Sequence, residues 1–164
     1  MTGLFEKSEL QRFIINSLEE ELASILKSAE AAYQGATHEE AVSKSKYETH
    51  GLELSYLAGS QFERARILKQ QILSLSSKQL KKFSDQDEVA LEALVTVQSA
   101  QKKQYHYFIS SIGAGLKLEC QGKSIQVISP ESAIGNELIG SFSNDVVFIE
   151  RAGKLEEWEL VAVS

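Results

Sequence analysis

One proline, Pro130, stands in a chain of 164 residues. Proline is the residue a helix interior tolerates least, because it lacks an amide N–H and its ring collides with the preceding turn. Everything before Pro130 is therefore open to long uninterrupted helices. The apolar spacing uses that freedom. Leu10, Phe13, Ile14, Leu18, Leu22, Ile25 and Ala29 recur at intervals of three and four, with Glu19, Glu20, Glu21, Lys27 and Glu30 between them, which is one apolar face of a helix. Gly35 predicts an end to this helix, and Thr37-His38-Glu39-Glu40 has the Thr-x-x-Glu spacing of a fresh start. A further pattern from about Leu54, through Leu57, Gln61, Ala65, Leu68, Ile72 and Leu75, has the spacing of a coiled-coil seam. The polar stretch Ser43 to Gly51 then reads as the reversal of an antiparallel hairpin with its tip near Tyr47 to Gly51. A helix from about residue 53 to 76 would be roughly 36 Å long. The alternative places the reversal at Gly35-Ala36-Thr37, with Gly51 and Gly59 inside one helix from His38 to Ser76, each costing about 1 kcal/mol relative to alanine.

Past Ser77 the period changes. A polar link over 78–88 leads into strand-like runs at Leu91 to Val97, Tyr105 to Ile109, Leu116 to Cys120 and Ile125 to Ile128, with a hairpin turn at Gln121-Gly122-Lys123. Val127 to Gly140 reads as a strand end, a Ser-Pro turn, one or two helical turns and a glycine stop. A second hairpin follows, with Val146 to Glu150 and Glu157 to Val163 joined through Ala152-Gly153-Lys154. The expected fold class is α+β: an N-terminal helical hairpin over 1–77, a linker over 78–88, and a small antiparallel β domain with one short helix over 89–164.

The formal net charge is −6, which argues against broad binding to duplex DNA, since that runs on neutralising phosphates with Lys and Arg. No run approaches the roughly 20 apolar residues of a membrane span. The lone cysteine, Cys120, cannot form an internal disulfide and agrees with a reducing cytoplasm; with no histidine beside it, it reads as a small packing residue. Arg64, Arg66 and Lys69 read first as the charged outer face of a coiled coil, and as a patch facing RNA second. His50, without partners at ligand spacing, is a weak metal candidate.

The segment Ser129-Pro130 to Leu138-Ile139-Gly140, preceded by a helical hairpin and followed by a final hairpin, resembles the Gre transcript-elongation factors of bacteria over nearly the whole chain. Tyr47-Glu48-Thr49-His50-Gly51-Leu52-Glu53-Leu54-Ser55-Tyr56-Leu57-Ala58 resembles that family's coiled-coil tip, and the expected break at Gln34 to Thr37 resembles an interruption in its first helix. The resemblance implies a C-terminal domain with the fold of FK506-binding prolyl isomerases, docking on RNA polymerase while the coiled coil enters the secondary channel. It implies no activity in isolation and no cofactor of its own: acidic tip residues would share a Mg²⁺ at the polymerase active site and help a water cleave backtracked RNA, chemistry suited to hard carboxylate oxygens. It further implies a cytoplasmic monomer, able to meet the nascent RNA 3′ end within the polymerase.

The tip departs from the family pattern. The family's acidic pair stands three apart in an Asp-x-x-Glu-Asn run, and alignment on Tyr56 puts Thr49 and Leu52 there. The acids present are Glu48 and Glu53, the candidate catalytic and Mg²⁺-holding pair, which would converge if the chain turns at Gly51. Tyr47 and His50 are candidate partner contacts at the tip, as are Ile134 and Leu138 on the short helix, where Phe142 should help pack the domain. A channel-occupying regulator that does not cleave fits this sequence about as well. Two other readings stand beside these: a prolyl isomerase or peptide-binding module with a cleft lined by Trp158, Tyr105 and Tyr107, and a coiled-coil dimer held by Leu57, Leu68 and Ile72.

Overall fold

The computed structural model describes residues 6–42 and 48–164, without the side chains of residues 38–42, 48–50 and 54. Two helices, α1 (Lys7–Val42) and α2 (Glu48–Ser76), precede six strands, β1 (Leu94–Ser99), β2 (Gln104–Ile109), β3 (Lys117–Cys120), β4 (Lys123–Ile128), β5 (Val146–Arg151) and β6 (Lys154–Val163). One short helix, α3 (Ala133–Leu138), lies between β4 and β5. The chain forms two compact units, one spanning Ile15–Ser77 and the other combining residues up to Ile14 with Lys78–Ser164.

In the helical unit, Leu18, Ile25, Ala29, Ala32 and Ala36 of α1 are buried, as are Ala58, Ala65, Leu68, Ile72 and Leu75 of α2. Arg64 donates to Glu21 at 2.8 Å across the pair. Only five residues separate the two helices in sequence, while Glu21 and Arg64 each lie many turns from that junction. Both can meet only if the helices are antiparallel. From Ala58 the α2 seam keeps alternating three-four steps through Gln61, Ala65, Leu68, Ile72 and Leu75, with Gly51 buried seven residues earlier. Leu57 breaks that alternation and is exposed, so the seam position expected for it belongs to Ala58.

The expected helix break at Gln34 to Thr37 is absent. α1 runs through Gly35, and Thr37 Oγ1 donates to the Tyr33 carbonyl at 3.0 Å one turn back instead of capping a new helix. Gln34 Nε2 donates to Glu30 Oε1 at 2.8 Å on the same face. Continuous seam burial at Ala29, Ala32 and Ala36 outweighs the roughly 1 kcal/mol that glycine costs in a helix. The expected tip lies partly outside the described residues, Tyr47 among them. Its described part, residues 48–51, is the first turn of α2, so the chain does not turn at Gly51.

The second unit holds one sheet in the order β3-β4-β2-β1-β6-β5. It is mixed rather than wholly antiparallel, because β2 pairs in parallel with β4 through His106↔Ile125 to Ile109↔Ile128. The loop through Gly113 and Gly115, both at positive φ, carries the chain past the neighbouring position to β3 at the edge. The two-residue turn Gln121-Gly122, also at positive φ, then folds β4 back between β3 and β2. Positive φ at both central residues is the turn geometry that matches strand twist, and Ala152-Gly153 repeats it between β5 and β6. One sheet face builds a core from Val95, Val97, Tyr107, Ile109, Trp158, Leu160, Val147 and Ile149, closed by Leu138.

The first turns of α1 and the segment after Ser77 are parts of this unit. Leu10 and Ile14 are fully buried. Lys7 Nζ donates to the carbonyls of Lys81 at 2.6 Å and Glu92 at 2.7 Å, and sits over the Phe83 ring. The Glu92 carboxylate takes the Lys78 ammonium and the Lys81 amide N–H at 2.8 Å. Asp85 Oδ1 accepts from the Val163 amide at 3.1 Å.

Candidate partner-binding site

The Ser-Pro segment is built from the backbone outward. The Ser129 carbonyl accepts both the Ser132 amide at 3.1 Å and the Ser132 hydroxyl at 2.7 Å. Ser132 Oγ in turn accepts the Gly135 amide at 3.0 Å, capping α3 at its N-terminus. Serine is favoured there because its oxygen satisfies an amide left without an intrahelical partner. α3 ends at Leu138 with Ile139 as its C-cap, and the chain turns away through Gly140, whose φ of +86° suits glycine. The stop is pinned: Gly140 N–H donates to the Val89 carbonyl at 2.9 Å, and Val89 N–H to the Ser141 carbonyl at 2.8 Å.

Leu138 is fully buried under this turn and Ile134 packs against the same core. Both hold α3 on the sheet, and Leu138 has no surface to offer a partner. Phe142, expected to pack the domain, is exposed, as is Ile139. The Phe142 amide N–H donates to Asp145 Oδ2 at 2.8 Å, which fixes the backbone and leaves the ring outside. Sequence reading missed a second exposed apolar group, Val146, Phe148 and Leu155 on β5 and β6. These share one sheet face, since Val146 pairs with Glu159, Phe148 with Glu157 and Glu150 with Leu155. The alternation Val146, Phe148, Glu150 was the available signal, masked by Val147 and Ile149 between them.

At the other candidate site, positions 48, 50 and 53 fall in the first two turns of α2. Glu53 is exposed. Leu52 and Tyr56 present large exposed apolar groups nearby, Tyr56 at 71% exposure. On a helix, positions five apart stand about 140° apart around the axis and about 7.5 Å along it. The backbone does not bring positions 48 and 53 to one face.

The remaining candidates resolve simply. Arg64 pairs with Glu21 and Arg66 with Glu63, the charged outer face expected of a coiled coil. Leu68 and Ile72 are buried by the chain itself, which removes two of the three contacts a coiled-coil dimer would use. Cys120 is buried, and burial, with Glu9 adding to it, pushes its thiol pKa up, as for a packing residue. Tyr105 and Tyr107 line a groove, but Trp158 is completely buried beneath them. Among the described residues, no helix is long and apolar enough to cross a membrane.

The fold thus defines an α+β protein with an antiparallel helix pair and a six-stranded mixed-sheet unit carrying a single capped helix. No protein-family model matches the chain, and no curated protein does. Among solved structures it is similar to Gfh1, the GreA factor homolog 1 of Thermus thermophilus, at 17% identity over 92% of this chain and 94% of that one, with a TM-score of 0.40. Gfh1 of Thermus aquaticus is similar at 20% identity over 88% and 92%, with a TM-score of 0.41. The GreA/GreB transcription elongation factor of Nitrosomonas europaea is similar at 13% identity over 59% and 78%, with a TM-score of 0.39.

Proposed function

We propose that this protein is a transcription regulator of the Gre type that binds RNA polymerase, its helix pair entering the secondary channel and its sheet unit docking at the rim as a domain of the FK506-binding-protein kind. One observation carries the reading. The segment in which the sequence resemblance lies folds as that resemblance implies, into a Ser-Pro turn, a capped short helix and a glycine stop that delivers the chain to the last hairpin. The length of α2 also supports it: 29 residues make a rod of about 43 Å.

Within this reading the protein occupies the channel and does not drive cleavage. A shared Mg²⁺ needs carboxylates that converge on one point, and positions 48 and 53, on different sides of α2, do not fit that requirement. No metal-assisted step is assigned to them. Exposed Leu52 and Tyr56 are better suited to packing against polymerase, and Ile139 and Phe142 beside the glycine stop supply apolar surface for docking.

The prolyl isomerase reading has less support. It needs an apolar aromatic cleft, and the groove beside Tyr105 and Tyr107 is edged by four cationic side chains.

The test is a cleavage assay on stalled, backtracked elongation complexes with Mg²⁺ and 3′-labelled RNA, run alongside a binding measurement. Bound factor without short 3′ fragments is the expected result. Fragments that vanish in Glu48→Ala/Glu53→Ala would restore the cleavage role, and absence of binding would remove the whole assignment.

A further inference from the structure

The groove over β2, β3, β4 and the β5–β6 turn measures about 440 Å³. Lys103, Lys117, Lys123 and Arg151 line it, with Tyr105 and Tyr107, and no carboxylate does so among the described residues. This is a concentration of positive charge on a chain whose formal net charge is −6.

The aromatics position the cations. Tyr105 stacks on Trp158 with ring centroids 4.8 Å apart and planes 12° from parallel. The Arg151 guanidinium stands 4.9 Å from the Tyr105 centroid and the Lys103 ammonium 5.2 Å. A cation over a ring is attracted by its negative face and loses rotational freedom there. Glu156, whose charge acts on Arg151, is itself engaged as acceptor of the Trp158 indole N–H at 2.9 Å. Lys117 and Gln126 pair across β3 and β4, and Gln126 pairs with Tyr107 across β4 and β2, so the positive lining continues across the sheet on the same face.

We propose that this groove binds an acidic peptide segment of a partner protein, its carboxylates meeting Lys103, Lys117, Lys123 and Arg151. Single-stranded nucleic acid is the less suited anion. It is held by bases stacking on open aromatic faces, whereas Tyr105 already has Trp158 and two cations against its ring, and Tyr107 is buried. A long polyanion would also meet the acidic remainder of the chain. A short carboxylate-bearing strand needs only charge and hydrogen-bond donors, which guanidinium and ammonium groups supply. The proposal is independent of the polymerase assignment and of the helix pair.

Fluorescence anisotropy with the full chain tests it, using a labelled peptide alternating Glu and Gly, the same peptide with Gln for Glu, and an oligothymidylate of equal charge. The Glu peptide should bind, the Gln peptide should not, and added salt should weaken binding as screening requires. Each of Lys117→Gln and Arg151→Gln should weaken it by about tenfold, the loss of one charge-assisted contact, with the thermal midpoint unchanged. Equal binding of the two peptides, tighter binding of the oligothymidylate, or indifference to folded variants would overturn the proposal. The peptide comparison needs no variant and stands even if a substitution impairs folding.

Discussion

A Cβ placed on Gly135 would overlap the carbonyl oxygen of Ser129, and would also lie 2.9 Å from Ser132 Oγ and 3.1 Å from the Pro130 carbonyl oxygen. The turn entering α3 and the helix it caps are therefore packed backbone against backbone, with no room for even a methyl group. Backbone oxygens cannot swing aside as a flexible side chain can, so this contact fixes glycine at position 135.

Gly135→Ala should accordingly destabilise the sheet unit by about 3 kcal/mol, the upper range for overpacking, and, on the proposed function, weaken association with polymerase. Asn136→Ala, at an exposed neighbouring position, should stay within about 0.5 kcal/mol of the parent. Urea unfolding of both variants measures the difference.

Gly59 is the opposite case. It lies inside α2, and nothing stands within 4 Å of where its Cβ would go. Gly59→Ala should stabilise the helix pair by about 1 kcal/mol, seen as a raised thermal midpoint by circular dichroism.

Acid should loosen the segment after Ser77. Burial alone would raise the Glu92 pKa, but Lys78, the Lys81 amide and Lys7 together hold the carboxyl below its ordinary value of 4.5. The unfolded chain then takes up the proton first, so the stability Glu92 contributes is complete above pH 4.5 and is lost as pH falls through the lower native value. Lys7 acts with the same sign in alkali. Burial lowers its pKa from 10.5 to about 8, so stability should rise as pH climbs between those values. Thermal midpoints against pH should show a flatter acid limb for Glu92→Gln and a flatter alkaline limb for Lys7→Met.

Trp158 is completely buried and stacked on both Tyr105 and Tyr107. Trp158→Ala should cost about 3–5 kcal/mol, measured by denaturant unfolding. Leu155→Ser, at a position 70% exposed on the same strand, should change stability by no more than about 0.5 kcal/mol.

The elements that sequence predicted well are those where local pattern and tertiary packing agree. Gln121-Gly122 and Ala152-Gly153 specify their hairpins through the φ values they permit, and the glycine stop at Gly140 follows the end of α3. Gly35 and Thr37 misled because their local preference to end one helix and start another was overridden by the alanine seam of Ala29, Ala32 and Ala36, a fact visible only once α2 is in place. The parallel pairing of β2 with β4 was hidden for a similar reason: alternation gives the faces of a strand, not its neighbour. Glu48 and Glu53 were readable as acids near a reversal, but their relation depends on whether Gly51 turns, and the chain is helical there. The cationic groove is not legible in the sequence, because Lys103, Lys117, Lys123 and Arg151 come together only through the sheet order.

The most direct measurement is association of the purified chain with RNA polymerase core enzyme, followed by analytical ultracentrifugation at physiological salt. A Gre-type channel binder should form a complex that survives Glu48→Ala/Glu53→Ala and is weakened by Gly135→Ala. A chain that sediments apart from the polymerase at every concentration tested would contradict that assignment.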